Sequence, residues 1–378
     1  MSLFPETLST HLQLLEMGPY GFALPGPMKL HLQLDGEIVS EVQVEMGYLH
    51  RGIEYAMEHL PWGSAVVYAD RLDPEASIFG EMAYCLAVEN LMGYEVSFRV
   101  ASLRIIFCEL VRVSNHLVSF SHLCRTIGLT SPIHYFLRDR EKILDLFELL
   151  SGSRFMPNFL RMGGLKLEVT EGFLDRVIET TQLMDLRTKD YRILLSENSA
   201  FQKRLSHVGQ VHQNVAKDFG LTGPVARASG LDFDVRKQIP YSSYEQFDFK
   251  TTLGIGIVGV EGDAFARFDV RLREIEQSLH LIRQAVDRLP AARPEDRIAI
   301  DDIGQVPAGE SFSRVETPRG MLTCQVISEG AKGPIGVRFG TPSRALVQSI
   351  SAILPGSRVE DIPVILASLF FSIAEADK

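Results

Sequence analysis

The sequence predicts a mainly α-helical protein with small β elements, an α+β chain whose helices form a bundle. Three observations carry this. The hydrophobic period is helical from about residue 50 to 290, an alternating stretch precedes it, and short strand-like runs follow it. The expected organisation is an N-terminal β hairpin region over 1–46, a helical body over 47–290, and a linker with a mixed α/β segment over 291–378. With 378 residues and 46 % hydrophobic content the chain can bury a large core, enough for roughly two or three structural units or one large domain.

Residues 27–45 read PMKLHLQLDGEIVSEVQVE. Leu30, Leu32 and Leu34 alternate with polar residues, and Asp35-Gly36 turns the chain into Ile38, Val42 and Val44. Asp-Gly between two alternating runs is a strong hairpin signal. The clearest helix covers roughly 264–289, where Phe268, Leu272, Ile275, Leu279, Ile282, Val286 and Leu289 form one seam that Pro290 ends. A helix with such a seam packs against neighbours in a bundle. Two more helices are expected over about 99–123 and 136–151, the second burying Ile143, Leu144, Phe147 and Leu150. The Pro- and Asp-rich segment 291–308 reads as a linker. Met321 to Ser328 and Gly336 to Phe339 read as strands, and 360–374 as a last helix.

The net charge of -10 excludes a nucleic-acid binder, which needs a clustered basic face. Val364 to Ala374 is about half of the ~20 apolar residues that a bilayer span requires, and MSLFPETLST is no secretory signal. Membrane contact must then come through partners. Cys85, Cys108, Cys124 and Cys324 form no CxxC pair, so a sequence-local zinc or iron–sulfur site is unsupported. They read as buried, reduced thiols of a cytoplasmic protein.

Gly254-Ile255-Gly256-Ile257-Val258-Gly259 is a literal GxGxxG. A dinucleotide site needs those glycines to open a helix directly after a buried parallel strand. Here YEQFDFKTTL precedes them and a second turn, Gly262-Asp263, intervenes, so a glycine-rich hairpin or loop is expected. The helix near 99–123 sets Glu109, Arg112 and His116 on one face of an otherwise apolar element. Such a stripe is ordinarily a satisfied buried network, and it also has the composition of a proton path. His50 and Glu54 sit one helical turn apart, too few ligands for a metal without distant help. Asp70-Arg71-Leu72-Asp73 has the look of an ion-paired turn.

Longer stretches carry a family resemblance. Met17-Gly18-Pro19, Gly47 to Glu54 (GYLHRGIE), Asp70 to Asp73, Glu109 to Leu117 (ELVRVSNHL) and Arg140 to Glu148 (REKILDLFE) stand in order along the chain. Leu221-Thr222-Gly223-Pro224, Arg227-Ala228-Ser229-Gly230, Asp234-Val235-Arg236-Lys237, Pro240-Tyr241 and Pro318-Arg319-Gly320 follow. Together they resemble the quinone-site core subunit of complex I, its 49 kDa component, on the scaffold shared with nickel–iron hydrogenase large subunits. The resemblance runs from about residue 17 to the end. It implies a hydrogenase large-subunit-like helical bundle.

The chain departs from both branches of that family. In the hydrogenases two CxxC motifs hold the metals; the equivalent positions here are Asp73-Pro74-Glu75-Ala76 and Ser372-Ile373-Ala374-Glu375, without thiolates. In complex I the quinone headgroup sits between a His and a Tyr. By resemblance Pro25 stands at the His position, Pro74 at the Tyr position, and Thr126 at that of an Asp paired with the His. Proline offers neither a hydrogen-bond donor nor a proton. The segment before Val306-Pro307-Ala308 is shorter than in complex I, as in membrane-bound hydrogenases.

The resemblance therefore implies a core peripheral-arm subunit of a complex I-like or hydrogenase-related membrane complex, in a structural and proton-coupling role. His50, Glu54, Arg71, Asp73, Glu109, Arg112 and His116 are its candidate proton and ion-pair network, and Pro25, Pro74 and Thr126 a degenerate quinone pocket. It binds no metal and no cofactor itself on this reading. The iron–sulfur clusters belong to a small partner subunit, with other peripheral-arm and polytopic membrane subunits around it on the cytoplasmic side of the membrane. The alternatives are an active quinone-reducing subunit and a free-standing binding module.

Overall fold

The computed structural model describes residues 12–21, 24–291 and 303–378. Its N-terminal sheet has the order β1 (Leu12–Met17), β2 (Lys29–Asp35), β3 (Ile38–Glu45), all antiparallel. Asp35-Gly36 makes the β2–β3 turn, and Leu30, Leu32 and Leu34 are buried as their alternation requires. A register shift between Gln33 and Leu34 moves Val39 to the inner face and leaves Ile38 40 % exposed. Strand β1 escapes sequence reading because most of it faces solvent, Leu14 included.

The helical body begins with α1 (Ile53–Glu58), α2 (Trp62–Asp70), α3 (Ser77–Met92), α4 (Phe98–Thr126) and α5 (Thr130–Ser151). Every residue of α4 from Val100 to Ser121 is buried, because α3, α5 and later helices enclose it. The Ser97 hydroxyl starts it by accepting the Val100 N–H at 3.3 Å. A short hairpin, β4 (Leu160–Arg161) with β5 (Gly164–Leu165), interrupts the helices. Then come α6 (Phe173–Tyr191), α7 (Ser199–Leu205), α8 (Gln213–Asp218), α9 (Gly223–Ala228) and α10 (Val235–Gln238). The GxGxxG run lies in a loop and opens no helix. A side chain at Gly254 would sit 2.2 Å from the Ala228 carbonyl oxygen, so glycine serves close backbone approach there.

Helix α11 (Ala264–Asp287) is capped by Asp263, which accepts the Ala266 N–H at 2.8 Å. Its seam packs on α4: Phe120 of α4 meets Phe268 at 4.9 Å and Phe136 of α5 at 5.7 Å between ring centroids. Of the expected linker 291–308, residues 292–302 lie outside the described residues. Beyond it stand β6 (Gly309–Glu316), β7 (Met321–Ser328) and β8 (Gly336–Gly340) in antiparallel order, with β6 and β7 against α3.

The chain ends with α12 (Pro342–Ile353), α13 (Ile362–Leu369) and α14 (Ile373–Ala376). The single helix expected over 360–374 is thus two. Phe370 adopts a left-handed conformation, φ 55°, that a helix cannot continue through. Arg271 of α11 donates to the Ser368 and Leu369 carbonyls at 2.8 and 3.0 Å, satisfying the end of α13. No helix among the described residues is long and apolar enough to cross a membrane.

Phe120→Ala removes the ring at the α4–α5–α11 junction and is expected to cost about 3–5 kcal/mol in urea denaturation. Leu14→Ala, on an exposed strand, is expected to change stability by less than about 0.5 kcal/mol. Equal effects from the two would contradict the packing described.

Candidate functional site

Helix α4 carries Glu109, Arg112 and His116 into the middle of the bundle, where all three are buried. Glu109 accepts from Arg112 Nε and Arg236 Nη1, each at 3.1 Å, and from the Tyr244 and Ser278 hydroxyls, each at 2.6 Å. Burial pushes its pKa up, but the two guanidiniums and the hydroxyls outweigh that and hold it at about 2. Glu109 stays ionised. Arg236 forks onto Asp234 at 2.7 and 3.0 Å, while Arg227 joins Glu274 at 2.7 Å to Glu316 at 2.6 Å. His116 enters this network through Nε2, 3.0 Å from Glu274. Burial takes its pKa down to about 4 in spite of that carboxylate, and its Nδ1 has no partner. A neutral ring donating from Nε2 fits; a cation would leave a buried Nδ1–H unpaired.

His50, Glu54, Arg71 and Asp73 lie where three segments meet. Arg51 staples those segments together, donating to the carbonyls of Arg71 at 2.8 Å, Leu72 at 3.2 Å and Ala374 at 2.7 Å. The His50 ring is 2.9 Å from the Asp377 carbonyl, and Glu54 pairs with Lys378 and accepts the Phe339 N–H at 2.7 Å. Arg71 pairs with Asp70. Asp73 pairs with Arg319, whose second nitrogen reaches Glu75 at 2.8 Å. Glu375, fully buried, bonds the Ser343 hydroxyl. Burial and then the Asp73 charge raise its pKa to about 7, with Arg319 opposing. Burial also raises Asp73. Arg319 thus contacts Asp73 and Glu75 of the first metal-motif stretch, 73–76, and acts on Glu375 of the second, 372–375, only through space.

Pro25 and Thr126 line one cavity of about 200 Å³ with His122, Arg125 and Pro363. Pro74 opens on a separate crevice beside Arg140 and Phe155. The Thr126 hydroxyl donates to the Leu123 carbonyl of its own helix at 2.8 Å. The His122 ring meets Phe370 edge-on at 5.6 Å, and burial lowers its pKa against the pull of Glu75. Among the described residues no group of three or more His, Cys, Asp or Glu side chains is arranged to hold a metal ion. All four cysteines are free and buried.

Known proteins share this chain almost end to end. The NADH-quinone oxidoreductase D subunit of Desulforamulus reducens is 36 % identical over 371 residues, covering 98 % of this chain and 100 % of that one. The protein of the same name from Geobacillus thermodenitrificans is 36 % identical over 370 residues, again 98 % and 100 %. The NADH-quinone oxidoreductase C/D subunit of Rhodopseudomonas palustris is 36 % identical over 390 residues, 97 % of this chain and 66 % of that longer one. The family described as respiratory-chain NADH dehydrogenase, 49 Kd subunit, matches residues 126–303 and 295–378. The chain belongs to that family. As a member of the 49 Kd subunit family it is related by name to multi-subunit oxidoreductases.

Arg227, Asp234, Arg236, Glu274, Glu316, Arg319 and His122 were not singled out from sequence as site residues, and Glu375 was named only as the last position of a metal-motif stretch. Arg227, Asp234, Arg236 and Arg319 stand inside the motifs that carry the resemblance, which was the available signal. Glu274 and Glu316 sit in an ordinary helix and strand, and nothing local marks them.

Glu375→Gln is expected to change stability with pH. The folded pKa of about 7 lies above the ordinary 4.5, so the stability contribution of the protonated acid is complete below 4.5 and lost as pH rises to about 7. The amide loses nothing over that window. Its advantage over the native chain should grow by about 3 kcal/mol between about pH 4 and about pH 8 in urea denaturation. An unchanging gap would remove Glu375 from the titrating groups.

Proposed function

We propose that this chain is a core peripheral-arm subunit of a complex I-like membrane assembly, on its cytoplasmic side, in a structural and proton-coupling role. The observation that carries the reading is the Asp73–Arg319–Glu375 cluster. It holds a buried carboxyl poised near neutrality at the place where relatives by resemblance handle metal or quinone, while Pro25, Pro74 and Thr126 supply no headgroup donor. Proton coupling needs a group that changes charge under working conditions. Glu109, near 2, and His116, near 4, do not; Glu375 does. The chain carries no cofactor on this reading. An iron–sulfur small subunit supplies the clusters, and polytopic membrane subunits carry the ion.

A tag on this chain is expected to co-purify membrane proteins from detergent extracts of the native host. A stable, partner-free monomer from that source would count against assembly. His116→Ala should damage assembly or coupling, because Glu274 then loses a buried donor, at about 1–3 kcal/mol.

One observation favours the second reading, an active quinone-reducing subunit: His122 and Arg125 line the same cavity as Pro25 and Thr126. Electron transfer from the purified complex to a soluble quinone analogue separates the two. The degenerate pocket predicts no turnover, and none gained from Pro74→Tyr alone. Robust turnover that His122→Ala abolishes would establish the second reading.

A further inference from the structure

Away from the Arg319 cluster, the end of α2 meets the first half of α3 at unusually short range. A side chain at Gly80 would lie 2.0 Å from the Ala69 carbonyl oxygen, so the two backbones touch there. The residues that follow each of them, Asp70 and Glu81, are thereby brought side by side, both with no exposed surface. Asp70 is met by Arg71, and Glu81 accepts the Leu160 N–H at 2.6 Å. One oxygen of each carboxylate, Oδ1 of Asp70 and Oε1 of Glu81, is buried without any donor.

The groups facing the pair are few. Arg71 touches Asp70 alone. Arg161 of β4 acts on Glu81 only through space, its own nitrogens being spent on Asn158 and on the Leu160 carbonyl. Cys85, one turn along α3, is a buried neutral thiol. Two adjacent buried carboxylates with one contacting guanidinium cannot both ionise cheaply, and two oxygens that both lack a donor are satisfied together by one proton.

We propose that Asp70 and Glu81 form a proton-binding site holding one shared proton, with Glu81 the donor and Asp70 the acceptor. Burial and the Asp70 charge both push the Glu81 carboxyl well above its ordinary range, in the same direction as the geometry. The exposed flank of the site is Arg71, whose side chain is 43 % accessible. An anionic group docking on Arg71 weakens its hold on Asp70 and raises the pair's proton affinity, and by linkage the proton favours that docking. This consequence rests on the proton-coupling reading above; the proton site itself does not.

The test is infrared double-difference spectroscopy of the native complex at neutral pH in a Glu375→Gln background, which removes the carboxyl that titrates near 7 and serves as the wild type for Glu81→Gln and Asp70→Asn. The wild type should show a protonated-carboxyl C=O absorption equivalent to one group. Glu81→Gln should lose it, and Asp70→Asn, a second variant read independently of the first, should move it without abolishing it. Persistence of the band in Glu81→Gln, its loss in Asp70→Asn, or its absence from the wild type overturns the proposal. None of these outcomes depends on turnover or coupling, so the proton site and the proposed function fail separately.

Discussion

The bridge that Arg227 makes between Glu274 and Glu316 is the contact on which the rest of the interior depends. It ties α9 to α11 and to the end of β6 at once. An apolar interface tolerates small slides, because dispersion is non-directional and neighbours repack. A buried guanidinium does not. Its donors form a rigid fork, and a carboxylate left without its cation costs several kcal/mol. From Arg227 the requirement spreads: Glu316 also accepts the Val235 N–H at 3.2 Å, starting α10, and Asp234 and Arg236 carry the pairing to Glu109 on α4. The register of five elements is set by charges that have no other partners to choose.

That pairing also sorts the acids into two kinds. Glu109 and Asp234 each meet two guanidiniums and lie near 2, fixed in charge under working conditions. Glu375 bonds the Ser343 hydroxyl, feels Arg319 only through space while Asp73 and Glu75 hold that guanidinium, and sits near 7. What separates them is the ratio of buried acids to contacting cations, not burial, since all are equally dry. Where cations suffice, the network is scaffold. Where one cation serves several acids, a proton must make up the deficit, and the group can respond to its surroundings.

The sequence was most legible where one physical signal acts locally. The Leu30–Leu34 alternation with Asp35-Gly36 led to the β2–β3 hairpin, and the seam from Phe268 to Ile282 led to α11. Strand β1 was hidden because an exposed edge strand has no buried face to alternate, and β6 because its first half is exposed too. The split of the last helix was hidden for another reason. Nothing in the run from Ile362 to Ala374 breaks a helix; Arg271, 97 and 98 residues before Ser368 and Leu369, takes the carbonyls at the end of α13. The candidate site shows the same division. Glu109, Arg112 and His116 were visible as a stripe, whereas Glu274 and Glu316 acquire their roles only through a cation that folding brings to them.

The break at Phe370 is also what builds the candidate site. A continuous helix would carry residues 372–375 away along the axis of α13. The left-handed turn sends them back instead, and Phe370 itself fills the corner, with Arg319 4.8 Å above its ring and His122 at its edge. Arg51 then holds the Ala374 carbonyl to the same carbonyl pair that closes the Arg71-Leu72 turn. Glu375 is thus delivered to Asp73 by main-chain groups that Arg51, Arg271 and Ser343 hold, the Ser343 hydroxyl taking the Ser372 N–H at 3.0 Å and meeting the Glu375 carboxylate. An acid pair that repels itself has to be assembled by other forces, and here those are the three carbonyl contacts of Arg51, the α13 carbonyls held by Arg271 and the Ser372 N–H held by Ser343. The soft titration of Glu375 is therefore imposed by the fold around it: the ion pairs that tie α4, α9, α10 and α11 together supply the frame against which an underpaired carboxyl can be held.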